Sequence, residues 1–158
     1  MSPVKLAITG GGVIGRRHAG AIANADDTIL VAIADPALSG KQLADDMDVP
    51  LFPNLQALLA AESIDGVIVS TPTEHHFNPT MTALDSGCHV LVEKPIMATR
   101  KEADQVVAKA AASGRHVLVG HHRRYYGLTH RARNIIQSGE LGQLVAVSGQ
   151  WTMRKADD

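Results

Sequence analysis

A doubly wound parallel α/β sheet with helices on both faces is the fold that this sequence predicts, and three observations predict it. Strand-length apolar runs alternate with helix-length segments from one end of the chain to the other. The first run leads directly into Thr9-Gly10-Gly11-Gly12-Val13-Ile14-Gly15, where glycines 10, 12 and 15 keep the G-x-G-x-x-G spacing. A second run, Ile29 to Ala34, ends on Asp35, about 20 residues beyond the last glycine.

Val4 to Thr9 reads as the first strand, Ile14 to Ala25 as the first helix and Ile29 to Ala34 as the second strand. Lys41 to Met47 reads as a short helix opened by Ser39, Leu51-Phe52 as a brief strand, and Leu55 to Ala61 as another short helix. Gly66-Val67-Ile68-Val69-Ser70 is a continuous apolar run of the kind that fills a buried parallel strand. Pro79 to Asp85 is helical and stops at Ser86-Gly87, and His89 to Val92 is a strand. Thr99-Arg100-Lys101-Glu102 matches a capping box, with Ala103, Val106, Val107, Ala110 and Ala111 on one helical face behind it. Ser113-Gly114 stops that helix, and Val117 to Val119 is the next strand. Leu128, Ala132, Ile135 and Ile136 form a last apolar stripe closed by Ser138-Gly139, and Leu144 to Trp151 reads as a final strand. Such a strand needs a sheet partner and nothing after it supplies one. Either it lies on the edge of the sheet or the chain has lost a second domain; the second is the expectation, with a core over 1–120, a helical connection over 121–143 and the start of that domain over 144–158.

With 158 residues, 45% hydrophobic and 20% charged, and a net charge of −1, the chain has the balance of an ordinary water-soluble domain. No basic excess invites nucleic acid, and aromatic residues, at 3%, are too few for base-stacking platforms. The apolar runs fall well short of a membrane span, and the N-terminus has no signal-peptide layout. One cysteine, Cys88, excludes an internal disulfide; it suits a buried small hydrophobe in a reducing, cytoplasmic setting.

The glycine stretch carries a specific chemistry. Gly10 turns the chain, Gly12 leaves room for a pyrophosphate, and Gly15 lets the helix pack close. The first amides of the helix, at Val13 and Ile14, then face the phosphates with the helix dipole behind them. Asp35 stands where ribose hydroxyls need an acceptor, and its charge repels a 2′-phosphate, which favours NAD over NADP. Ligands of open α/β sheets bind beyond the carboxyl ends of the strands. Ser70-Thr71-Pro72-Thr73, Glu93-Lys94-Pro95 and Gly120-His121-His122-Arg123-Arg124 all follow such ends. No metal site is expected, because His75-His76 and His121-His122 are adjacent pairs with no cysteine or clustered carboxylate to complete a ligand set.

The glycine loop, Asp35, Thr71-Pro72-Thr73 with His76, Gly87-Cys88-His89-Val90 and Glu93-Lys94-Pro95 together resemble the N-terminal half of the glucose–fructose oxidoreductase / inositol dehydrogenase (Gfo/Idh/MocA) family. Ser138-Gly139-Glu140-Leu141-Gly142 is similar to that family's passage into its second domain. The resemblance implies an NAD(P)-dependent oxidoreductase acting on sugars, inositols or related polyols, with much of the substrate site in a domain not contained in this sequence. It implies Lys94 beside the nicotinamide and the reacting hydroxyl, Glu93 orienting it or reaching the ribose, and Pro95 after a cis bond. It places Thr71, Pro72 and Thr73 along the nicotinamide ribose, with His76 nearby and His122 and Arg123 lining the cleft, and Ser70 at the same strand end joins the cofactor-binding candidates. Arg124-Tyr125-Tyr126-Gly127 departs from the family's pattern.

Plainer readings exist for the same residues: a solvated charge pair for Glu93-Lys94, and a structural hydrogen bond at a helix end for His76. Two other functions compete. A non-catalytic NAD sensor or interaction module needs the glycines and Asp35 but no Lys94. A methyltransferase using the same turn for S-adenosylmethionine leaves Glu93-Lys94-Pro95 unexplained. The expected partners are a small polyol or sugar and a second copy of the chain, because an unpaired terminal strand and the surface it leaves bare favour self-association.

Overall fold

The computed structural model describes residues 2–150 and residue 152. It divides into two units, Met1–His121 and His122–Asp158, each treated by itself. In the first, apolar runs and helical segments alternate as β1 (Val4–Thr9), α1 (Val13–Ala23), β2 (Thr28–Ala34), α2 (Leu38–Met47), β3 (Leu51–Phe52) and α3 (Leu55–Ala61). β4 (Gly66–Val69), α4 (Phe77–Asp85), β5 (His89–Val92), α5 (Arg100–Ser113) and β6 (Val117–Val119) complete it. The strands form one parallel sheet in the order β3-β2-β1-β4-β5-β6. The order reverses direction between β1 and β4, which opens a crevice at their carboxyl ends.

Alternation along each strand divides the core into two layers. On one side Ala7, Val67, Val69, Val90 and Val92 meet Leu55, Leu58, Ala83, Leu84 and Val106. On the other Ile8, Ile33 and Ile68 meet Ala19 and Ile22 of α1 and Leu43 and Ala44 of α2. Cys88 is buried in the first layer, its Sγ–H donating to the Ile64 carbonyl at 3.3 Å, and burial pushes its thiol above the ordinary value. No helix among the described residues is long and apolar enough to cross a membrane.

Two helix starts differ from the sequence reading by more than one residue, for physical reasons. The second helix begins at Leu38 rather than Lys41, with Ser39 inside its first turn, because the Asp35 carboxylate accepts the Ala37 amide at 2.8 Å and sets the entry. The fourth begins at Phe77, with Pro79 in the first turn, where a missing N–H costs nothing.

The second unit holds a 3-10 turn, His122–Tyr125, and α6 (Gly127–Gln137), whose apolar stripe is the expected Leu128, Ala132, Ile135 and Ile136. Thr129 Oγ1 donates to the Arg123 carbonyl at 2.8 Å and ties the turn to the helix. The expected strand from Leu144 does not form over residues 144–150, and Trp151 lies outside the described residues. β-prone residues supply only the propensity. A strand exists through its ladder, and no described segment pairs with this one.

Candidate active site

The turn from β1 into α1 is built from backbone in near contact. Gly10 has φ +95°, and a Cβ there would stand 2.6 Å from the Thr71 nitrogen. A Cβ at Gly15 would stand 2.0 Å from the Gly10 carbonyl oxygen, so α1 packs directly on the loop. A Cβ at Gly12 would meet nothing within 4 Å, which leaves an open face. Gly12 also caps α1 without a side-chain acceptor, so the first-turn amides of Val13, Ile14 and Gly15 have no intrahelical partner. Val13 is 72% exposed over that face.

Asp35, at the end of β2, is fixed beside the loop. Its Oδ2 accepts the Gly11 amide at 2.6 Å while Oδ1 accepts that of Ala37. A Cβ on Gly11 would meet Gly40 Cα at 2.5 Å, and one on Gly40 would meet Asp35 Cβ at 2.4 Å. Gly11 and Gly40 therefore hold the acid against the glycine loop, a role that the G-x-G-x-x-G pattern does not contain.

Beyond β4, Ser70 Oγ lies 2.7 Å from the Gly10 carbonyl and 3.1 Å from that of Thr9, so its proton serves the loop itself. Thr71 Oγ1, by contrast, is buried with no hydrogen-bond partner. Thr71 lines a cleft of about 390 Å³ shared with Gly10, Asp35, Pro36, Asn54 and Asn78. An orphaned buried hydroxyl on a residue that borders the cleft, and an open face at Gly12, are features that a dinucleotide would complete. Pro72 leads into the 3-10 turn Thr73–His75.

His76 is 1% exposed, and both ring nitrogens face backbone oxygens. Nε2 lies 2.9 Å from the Thr71 carbonyl, while Nδ1 lies 3.0 Å from that of Pro95 and 3.3 Å from that of Ile96. The ring is packed between the Thr71 loop and the Pro95 loop and donates to one of them according to its tautomer, with both nitrogens turned to backbone rather than to a cofactor. For this residue the structural hydrogen bond is what the geometry shows.

Past β5, the Lys94–Pro95 peptide is cis. Lys94 is exposed, and its ammonium has no hydrogen bond or ion pair among the described residues. Glu93 is held by protein on both oxygens: Oε1 is 2.9 Å from His18 Nε2, and Oε2 accepts the Lys94 amide at 3.2 Å. His18, on α1, stands three residues past Gly15, and its partner is 75 residues away, so no local spacing reveals the pair. The carboxyl ends of β1, β2, β4 and β5 thus gather the glycine loop, Asp35, Thr71 and Lys94 on one rim. His122 falls in the second unit, where its ring tilts against Tyr126 at 5.7 Å between centroids.

Comparison with known proteins identifies the family of the chain. Residues 4–121 match the Gfo/Idh/MocA oxidoreductase family over its NAD-binding Rossmann fold. D-glucoside 3-dehydrogenase of Escherichia coli K12 is 32% identical over 152 residues, covering 94% of this chain and 43% of the relative. The crystal structure of myo-inositol 2-dehydrogenase from Lactobacillus plantarum superposes with a TM-score of 0.86 at 26% identity, over 91% of this chain and 44% of that one. That of GenD2 from gentamicin A biosynthesis, in complex with NAD, gives 0.84 at 26% identity, over 89% of this chain and 40% of that one. The chain spans less than half the length of these relatives. It belongs to the Gfo/Idh/MocA family of oxidoreductases, over that family's NAD-binding Rossmann domain.

Proposed function

We propose that the chain is the nucleotide-binding part of an NAD-dependent oxidoreductase that moves hydride between a carbinol carbon of a sugar, inositol or related polyol and nicotinamide. When bound, the dinucleotide supplies the hydride acceptor or donor. Everything else in the step falls to side chains and backbone. The Val13, Ile14 and Gly15 amides hold the pyrophosphate over the open face of Gly12. Asp35 keeps lone pairs for two ribose hydroxyls while its other contacts fix its direction, and its charge disfavours a 2′-phosphate. Thr71 borders the cleft. Lys94 Nζ hydrogen-bonds the reacting oxygen, giving it a proton as the ammonium in reduction and taking the hydroxyl proton as the neutral amine in oxidation, with Pro95 beside it.

The observation that carries this reading is the rim itself, where an open glycine cradle, a fixed acid and an unpaired lysine meet at the carboxyl ends of neighbouring strands. Half of a cleft cannot exclude water or hold a substrate in register, so this chain binds cofactor with little turnover. The relatives' names, a glucoside and an inositol dehydrogenase, support the substrate class. We also propose self-association of the chain, through the part of the sheet left uncovered in the first unit.

Calorimetric titration with NAD and NADP tests the reading. The unmutated chain binds NAD and binds NADP more weakly. Asp35→Ala weakens NAD by about tenfold or more, the loss of hydrogen bonds worth about 1 kcal/mol each, and Lys94→Ala leaves affinity within about threefold. Absence of NAD binding, or loss with Lys94→Ala equal to that with Asp35→Ala, overturns it.

A further inference from the structure

We propose that His18 is a positioning residue for Lys94: through Glu93 it couples the helix that faces the pyrophosphate to the lysine at the reacting end. The inference rests on the reading of Lys94 given above. Three observations converge on it. The His18 and Glu93 side chains are only 21% and 13% exposed, so their 2.9 Å contact is largely sheltered from solvent. A hydrogen bond to a carboxylate in such surroundings is stronger and more directional than an exposed one.

The space around the carboxylate is shaped to it. A Cβ at Gly120, just past β6, would stand 2.7 Å from Glu93 Oε1, 2.8 Å from Cδ and 3.0 Å from Oε2. Gly120 therefore leaves a slot that no other residue would leave, and the carboxylate fills it. Finally, Glu93 Oε2 accepts the amide of Lys94 itself, so the orientation of the carboxylate fixes the backbone from which the lysine extends.

Each oxygen of Glu93 already serves the protein, one on α1 and one on the Lys94 backbone. His18 shares the rigid helix α1 with the cradle amides at Val13 to Gly15, within two turns of them. A movement of that helix as phosphate is taken up or released passes through His18 and Glu93 to Lys94. Gly120→Ala should disturb the same link from the opposite side by pushing the carboxylate out of its slot.

The test uses the 158-residue chain in four forms: unmutated, His18→Ala, His18→Gln and Gly120→Ala. Glutamine is the conservative variant, since its side-chain N–H reaches about where Nε2 stands. The first readout is amide hydrogen exchange at Lys94 without cofactor. His18→Ala and Gly120→Ala speed it by about tenfold while core amides of β1 and β4 keep their rates, and His18→Gln restores protection to within about twofold. The second is acylation of Lys94 by acetic anhydride with and without saturating NAD. Bound NAD shields Lys94 by about threefold or more in the unmutated chain and in His18→Gln. That shielding is lost in His18→Ala, although NAD affinity changes by less than about threefold.

A merely structural His18 would slow or speed core amides together with Lys94, and glutamine would not rescue selectively. Unchanged Lys94 exchange in both His18→Ala and Gly120→Ala overturns the inference, as does shielding that persists in His18→Ala. If the unmutated chain binds no NAD, the proposed function fails instead, and the cofactor-free exchange still decides whether His18 positions Lys94.

Discussion

The imidazole of His76 sits among three backbone carbonyls, those of Thr71, Pro95 and Ile96, with almost no solvent contact. A neutral ring carries one N–H, and here either tautomer finds an acceptor. The sequence showed His76 close to the Thr71 loop, because both lie in one strand-to-helix connection. It could not show Pro95, since the ring reaches across 19 residues to a loop at the next strand end. The same holds for His18 and Glu93, and for Gly40 against Asp35: long-range partners of single residues leave no periodic trace. Replacing His76 with alanine removes the ring and strands buried carbonyls. The expected cost is about 2–4 kcal/mol of stability, read as a lower urea midpoint at unchanged slope. A midpoint equal to that of the unmutated chain would show that the ring holds nothing.

Elements were more legible than their partners, and the reason is period. β1, β5 and β6 lie where the apolar runs predict them, and α5 starts at the predicted capping box. In that box Thr99 Oγ1 accepts the Glu102 amide at 3.3 Å, and the Glu102 carboxylate accepts the Thr99 amide at 3.0 Å. Gly114, at φ +64°, closes the same helix. Such signals are local, so one sequence window contains them. The run from Leu144 is the counterexample, because Val145 and Val147 are 94% and 85% exposed and no neighbour completes a ladder. Thr99→Ala tests the local case. It should lower stability by about 0.5–2 kcal/mol in chemical denaturation, with Thr99→Ser recovering most of the loss. A loss confined to background would mean that α5 is held by packing at Val106 alone.

At the scale of the molecule, one consequence of the sheet order falls on the first unit's surface. α1 and α2 lie over β1, β2 and the near side of β4, while α3, α4 and α5 occupy the opposite layer. No helix of the first unit covers the α1 side of β5 and β6. There the register sets Ile68 beside Leu91 and Leu91 beside Leu118. These residues and Leu6 line an apolar groove of about 180 Å³, and Leu118 is 61% exposed. β6 is also an edge strand of three residues, with its outer backbone groups unpaired in the sheet. An apolar strip beside an open edge favours a second copy of the same surface, and each chain then buries what the other exposes. Sedimentation equilibrium at about 100 μM, far above a weak dimer's dissociation constant, should give a mass above 16.7 kDa. Leu118→Lys should return it to that value, because a charged side chain in the middle of the strip would have to be desolvated in the dimer. A monomeric unmutated chain, or a mass that Leu118→Lys leaves unchanged, would mean that this strip is not the surface through which copies meet.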